Sequence, residues 1–202
     1  SVDCYTASMF YAIDRSLSYK SELWGEIYNN GGLVICDRYT SSNILHQGSK
    51  LSKTETFRNA QIKERESEKI IESSSMDMMW AYNIYNYMLW LYTLEYDEIG
   101  IPKPDLAIFL ELTEGANESM LRARKETAVN GDIHEANVKY LNNCRACMQV
   151  YKNIINGKYS FSENISLYGL DFKHSFLTVS DDEKPFSKEI VHDMIMKELD
   201  AI

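Results

Sequence analysis

The stretch PKPDLAIFLEL, from Pro102 to Leu112, decides the fold class. Two prolines introduce a short apolar run, which is typical of a strand buried on both faces of a sheet. Two further runs of this kind are LVIC, from Leu33 to Cys36, and HSFLTVS, around Phe176 to Val179. Because helical patterns separate the three runs, the sequence predicts an α/β fold with a mainly parallel sheet.

Helix periodicity fills the segments between these strands. The predicted helices cover 6–28, 55–97, 118–126, 134–155 and 187–199. In the first helix, a stripe at helix spacing is expected to face the core: Phe10, Ile13, Leu17 and Trp24. The segment IIESSSMDMMWAYNIYNYMLWLY at 70–92 predicts a core or subunit-interface helix, because methionine and aromatic side chains fill irregular apolar gaps. A base-stacking platform is the alternative reading of this segment.

Composition excludes several functions. The formal net charge of −9 argues against nucleic acid as the main partner, although a few local arginines can still bind a small phosphorylated ligand. No run of about 18 apolar residues occurs, so we expect neither a membrane span nor a membrane partner. The four scattered cysteines and the lack of a signal-type N-terminus predict reduced thiols in the cytoplasm. The CRAC stretch has C-x-x-C spacing, which leaves a zinc or redox role open.

Polar side chains follow the strand predicted at Leu33–Cys36. Asp37 and Arg38 come directly after it, and ligands of open parallel sheets lie beyond the carboxyl ends of the strands. An arginine there offers a fork of donors for phosphate oxygens, and an aspartate can hold Mg²⁺. A local Asp37–Arg38 ion pair that closes the strand is the alternative.

The next residues add groups that can read a nucleobase. They are Ser42, Asn43, His46 and Gln47. An amide both donates and accepts hydrogen bonds, so Asn43 and Gln47, four residues apart, can contact a base edge together. Upstream, Tyr11 supplies a ring for stacking and Arg15 supplies a second cation on the same helix face.

Four motifs, in this order, resemble the thymidylate kinase family: FYAIDR, LVICDRYTSSNILHQG, PKPDLAIFLEL and GDIHEANVKYLNNCR. That family belongs to the nucleoside monophosphate kinases with a phosphate-binding loop. The resemblance covers most of the chain except roughly 54–87 and the last thirty or so residues. It implies one kinase-like domain over 1–202 with a P-loop NTPase-like three-layer αβα fold, a lid around 118–135 and a possible insertion around 54–87.

The resemblance also implies residue roles. Tyr11 would stack on thymine, and Arg15 would clamp the base or the phosphate of the acceptor. Asp37 and Arg38 match the acid–base pair near Mg²⁺ and the acceptor phosphate, with Asp37 as the metal ligand. Positions near the base are Ser42, Asn43, His46 and Gln47, of which His46 stands where a tyrosine is more usual.

The lid of this family carries cations that close over the transferred phosphoryl group. MLRARKE supplies Arg122, Arg124 and Lys125, and a solvated helix end is the alternative reading. Residues expected to close over the sugar and base are Asp132, His134 and Glu135. The spacing of Asp132 and Glu135 also fits a capping box at a helix start, and both roles can coexist.

The resemblance implies a cytoplasmic thymidylate kinase that transfers the γ-phosphoryl of ATP to dTMP with Mg²⁺, giving dTDP for dTTP biosynthesis. The aromatic helix predicts a homodimer. Alternatives are a deoxynucleoside kinase and a non-catalytic nucleotide-binding protein derived from such a kinase.

A phosphate-binding loop is the missing motif. None of the nine glycines belongs to a G-x-x-x-x-G-K-[ST] pattern, which such a kinase needs to cradle the donor phosphates. We therefore expect that about fifty to sixty residues precede Ser1, including the N-terminal strands and the central one of the sheet. This chain alone would keep the acceptor-site residues without donor-phosphate chemistry.

Overall fold

The computed structural model describes residues 2–21, 24–51, 73–127, 138–159 and 171–201. In chain order its elements are α1 Cys4–Lys20, α2 Gly25–Asn29, α3 Thr40–Gly48, α4 Ser73–Tyr92, a π-helix Thr93–Glu98, β1 Leu106–Glu111, α5 Glu114–Thr127, α6 Val138–Ile155, β2 Lys173–Thr178 and α7 Lys188–Leu199. The described residues are mostly helical and include a two-stranded parallel sheet, so the prediction of an α/β fold is confirmed at that level.

The chain divides into two compact units. The first unit comprises Ser1–Pro102 and Asn142–Leu170, and the second comprises Lys103–Leu141 and Asp171–Ile202. The first unit contains α1 to α4, the π-helix and most of α6. The second contains both strands, α5 and α7. The expectation of one kinase-like domain over 1–202 stays a prediction.

The aromatic helix α4 is the core of the first unit. Its fully buried side chains include Ile84, Tyr87, Met88 and Leu91, so the core interpretation of this segment is confirmed. A helix that is apolar on several faces is stable only when other elements cover it. The buried hydroxyls find partners as well, since those of Tyr92 and Tyr151 lie 2.9 Å apart.

The predicted core stripe is wrong for its three residues on α1, whereas Trp24 lies beyond α1 and is half-buried. Phe10, Ile13 and Leu17 are 67%, 53% and 64% exposed, whereas the buried side chains of α1 are Cys4, Ser8 and Ala12. Small side chains allow close helix packing, and the Ser8 hydroxyl hydrogen-bonds to that of Tyr87 on α4. Periodicity could not detect this face, because hydroxyl and small residues, rather than large apolar ones, form it.

The strand predicted at Leu33–Cys36 is also wrong. The segment has no strand structure, and the side chains of Leu33 and Ile35 are 75% and 78% exposed. A strand exists only through hydrogen bonds to a neighbour. Within the described ranges, 33–36 has no such neighbour, because the one ladder pairs β1 with β2.

The other two predicted strands are confirmed in the second unit. β1 and β2 pair in parallel, in register from Leu106 opposite Lys173 to Glu111 opposite Thr178. The rings of Phe109 and Phe176 stack at 4.8 Å across this pair. In the part of the chain that the structure describes, no helix is long and apolar enough to cross a bilayer.

His174 makes this sheet sensitive to pH. Its ring stacks on Phe172 at 4.2 Å, and burial lowers its pKa from 6.5 to about 4. A base with a lowered folded-state pKa stabilises the fold above its unfolded pKa, and that stability is lost as the pH falls from 6.5 to about 4.

We expect His174→Phe, which keeps the stacking, to remove this part of the acid sensitivity. The measurement is thermal unfolding at pH values of about 7 and about 4, with the exposed His192→Phe as the control. An equal loss of Tm on acidification in the wild type and in His174→Phe would contradict the assignment.

Candidate functional site

A buried ion pair between Arg15 and Glu95 lies at the centre of the candidate site in the first unit. The Glu95 side chain is completely buried, and that of Arg15 is 15% exposed. The Arg15 Nε donates to Oε2 of Glu95 at 2.6 Å, and Nη2 donates to Oε1. This two-point arrangement is the strongest geometry available to an arginine and a carboxylate.

Hydroxyl groups complete the surroundings of Glu95. Thr40 Oγ1, at the first residue of α3, donates to Glu95 Oε2 at 2.9 Å. Tyr96 hydrogen-bonds to Thr40, and burial raises the pKa of the Tyr96 hydroxyl. Burial also raises the pKa of Tyr39, whose hydroxyl donates to the Pro102 carbonyl at 2.8 Å. The tyrosines therefore stay neutral.

The π-helix explains how Glu95 comes to point inward. It contains an extra residue per turn, shown by the bond from Ile99 N to the Leu94 carbonyl, five residues earlier. As a result, the adjacent residues Glu95 and Tyr96 are both buried. Single π-helical turns of this kind occur frequently at functional sites.

Asn43 and Gln47 form the buried polar pair of α3. They are 5% and 6% exposed, as expected for amides that face an interior site. Gln47 Oε1 accepts a hydrogen bond from Lys50 Nζ at 2.7 Å. Asn43 Nδ2 is the one buried side-chain nitrogen or oxygen in the described residues that has no hydrogen-bond partner. Such a group costs about 1–3 kcal/mol unless something binds it.

The first two residues of DRY, Asp37 and Arg38, form an exposed turn before α3. Asp37 and Arg38 are both exposed, and neither makes a hydrogen bond or ion pair within the described part of the chain. The alternative of an Asp37–Arg38 ion pair is therefore wrong. Arg38 has φ 69°, a left-handed conformation that is uncommon for an arginine. No side chain caps α3, and the N–H of Ser42 donates to the Tyr39 carbonyl, which leaves the N–H groups of Thr40 and Ser41 available to an anion.

The other predicted base contacts also lie in the first unit. The Tyr11 side chain is half exposed and its ring has no aromatic neighbour among the described residues, so it is available for stacking. Ser42 and His46 are half-buried on α3. The His46 Nδ1 lies 3.9 Å from the sulfur of Cys144.

Metal ligands are sparse in the described part of the chain. No group of three or more His, Cys, Asp or Glu side chains there is placed to hold a metal ion. Mg²⁺ in phosphoryl-transfer sites is often bound by one or two carboxylates together with substrate phosphates. The single exposed carboxylate of Asp37 fits that minimal donor set.

The lid residues belong to the second unit or lie outside the described residues. Arg122 is exposed on α5 and pairs with Glu118 at 3.5 Å. Arg124 lies in the same helix, and its side chain is outside the described residues. Outside them as well are Asp132, His134 and Glu135.

An open hollow of about 470 Å³ also lies in the first unit. Its lining residues are Tyr19, Lys20, Gly25, Glu26, Asn29 and Asn30, none of which was predicted to bind a ligand. The predicted site residues of the first unit, on α1, on α3 and on the turn before α3, do not line this hollow.

Sequence reasoning missed Glu95 and Thr40. Glu95 follows Met88 by seven residues and Leu91 by four, so helix spacing places it on the buried stripe of α4. An acid on an apolar stripe signals a buried cation partner. The sequence could have indicated that a partner exists, although not that the partner is Arg15.

No family model, no curated protein and no solved structure matches this chain. The functional interpretation therefore rests on the sequence motifs and on the geometry of the first unit.

Replacing Arg15 with methionine should destabilise the protein by about 3 kcal/mol, because it leaves a buried carboxylate without its cation. Urea unfolding measures this difference. Lys20→Met on the same helix is the control, since Lys20 is exposed and should change stability by less than about 0.5 kcal/mol. Equal stability losses in the two variants would contradict a structural role for the Arg15–Glu95 pair.

Proposed function

We propose that the protein acts as a thymidylate kinase and that its first unit binds dTMP, the acceptor of the phosphoryl group. The reaction transfers the γ-phosphoryl of ATP to dTMP. The proposal extends to the finer fold: a P-loop NTPase-like three-layer arrangement in a single kinase domain, working as a cytoplasmic homodimer.

The observation that carries the proposal is the unpartnered Nδ2 of Asn43. A buried amide donor without a partner is rare in native structures, and a bound water, ion or ligand can account for one. Asn43 lies four residues before Gln47, on the helix where the sequence predicts contacts to the base. A pyrimidine carbonyl oxygen would accept the free hydrogen bond.

The start of α3 supplies a phosphate site next to this amide pair. Its uncapped N–H groups carry the positive end of the helix dipole, and Arg38, whose guanidinium has no partner among the described residues, precedes the helix. Arg15 is tied through Glu95 to Thr40 at the same helix end. The contacts to the base and to the phosphate would thus lie along one helix, so that a single nucleoside monophosphate can reach both.

Catalysis would consist of positioning and charge stabilisation. Arg15 and Arg38 would hold the acceptor phosphate, while Arg122 or Arg124 would balance charge on the transferring group. Mg²⁺, held by Asp37 and the phosphates, would supply electrostatic stabilisation of the phosphoryl oxygens.

A second candidate is a non-catalytic protein that binds dTMP. The sequence favours it because no glycine belongs to a phosphate-binding-loop motif. Both candidates require the same acceptor site, and they differ in whether ATP is used. A deoxynucleoside kinase would instead prefer thymidine to dTMP.

Titration calorimetry of the chain with dTMP, with thymidine and with ATP tests the proposal. We expect dTMP to bind at least about tenfold more tightly than thymidine, because each charge-assisted hydrogen bond contributes about 1.5–3 kcal/mol. Equal affinity for the two ligands would contradict the proposal. Phosphoryl transfer from ATP to dTMP by the full-length protein distinguishes the kinase from the non-catalytic protein, because this chain has no phosphate-binding-loop motif and is not expected to use ATP by itself.

Replacing Asn43 with leucine should separate binding from stability. It removes a buried donor that lacks a partner, so the free energy of unfolding without ligand should stay equal or rise by about 1 kcal/mol. The affinity for dTMP should fall about tenfold or more, because the base loses a hydrogen bond that leaves its carbonyl unpaired. A destabilised variant with unchanged affinity would contradict the role given to Asn43.

A further inference from the structure

We infer that Glu95 is a positioning residue that orients Arg15 toward the phosphate of the bound nucleoside monophosphate. The inference rests on the proposed function, since it concerns how the same acceptor site recognises a phosphate. It gives a role in phosphate binding to Glu95, a buried acid that belongs to none of the sequence motifs.

The geometry of the Arg15 guanidinium supports this role. A guanidinium carries five N–H donors, and Glu95 engages one on Nε and one on Nη2. The remaining three donors, on Nη1 and Nη2, form a second fork at the end of the side chain. Within the described residues these three donors have no partner, and the Arg15 side chain keeps 15% of its surface exposed.

Burial and hydrogen bonds fix the position of the Glu95 carboxylate. Its side chain has no exposed surface, and Thr40 donates a third hydrogen bond to the carboxylate at 2.9 Å. Thr40 is also the first residue of α3, so one residue links the carboxylate to the helix end proposed to bind the phosphate. The free fork of Arg15 and the N–H groups of α3 are therefore fixed relative to each other.

The pair would contribute to phosphate binding through directional hydrogen bonds rather than through its net charge. Arg15 and Glu95 together are neutral, so the pair adds little long-range attraction for a phosphate. A guanidinium already locked in the binding orientation loses less conformational freedom when the ligand arrives. A purely structural pair would instead affect all ligands of the site equally.

The test compares dTMP with thymidine, because the two ligands differ only in the phosphate. Glu95→Gln keeps the size of the side chain but removes its charge and presents one amide donor to the guanidinium. We expect dTMP affinity to fall about tenfold or more and thymidine affinity to stay within about twofold. Glu98→Gln is the control, since Glu98 is exposed on the same π-helix.

Thr40→Val keeps the test decisive if Glu95→Gln fails to fold. Valine has nearly the same size as threonine but lacks the hydroxyl, so this variant removes the hydrogen bond to Glu95 and leaves the ion pair in place. The expected result is a smaller loss, about threefold, again confined to dTMP. Circular dichroism on every variant establishes that the folded protein is being compared.

Two results would overturn the inference. Equal weakening of dTMP and thymidine in Glu95→Gln or Thr40→Val would assign Glu95 a purely structural role, and unchanged dTMP affinity would exclude any role. Failure of the proposed function is distinguished by the wild type alone, which would then bind dTMP no more tightly than thymidine.

Discussion

The ion pair between Arg15 and Glu95 is the constraint on which the first unit depends. It joins α1 to the π-helix, and the hydroxyl of Thr40 joins both to the start of α3. A buried carboxylate without its cation is strongly destabilising, so these three elements are specified together. The packing of α1 follows from this constraint, because its buried face is the one that carries Arg15, Ser8 and Ala12.

The same constraint organises the proposed acceptor site. α1 carries Tyr11 and Arg15, and α3 carries Asn43 and Gln47. Fixing the two helices against each other fixes the distance between a ring that can stack on a base and the amides that can read its edge. The large apolar helix α4 supplies the rigid support, and within the described residues its buried side-chain nitrogen and oxygen atoms have hydrogen-bond partners. Asn43 Nδ2 has no hydrogen-bond partner, and this buried donor identifies the proposed site.

The sequence predicted the positions of the helices and strands better than it predicted which of their side chains are buried. Both strands of the sheet, the aromatic core helix and the capped α7 were predicted from apolar runs, periodicity and turn residues. The strand at Leu33–Cys36 was wrong because an apolar run does not reveal whether a partner strand is present. The α1 stripe was wrong because its packed face depends on the long-range partners Tyr87 and Glu95. Candidate site residues on α3 were predicted by type and spacing, whereas spacing could indicate only that Glu95 is buried, and its partner Arg15 is identified by the contacts.

The most direct measurement is a crystal structure of the chain with bound dTMP. We predict that the phosphate oxygens lie within hydrogen-bond distance of Arg15 Nη1 and of the first N–H groups of α3. Glu95 should keep its bond to Arg15 Nε, and the thymine should accept a hydrogen bond from Asn43 Nδ2. A nucleotide bound elsewhere, or a phosphate that displaces Arg15 from Glu95, would contradict an acceptor site organised by this ion pair.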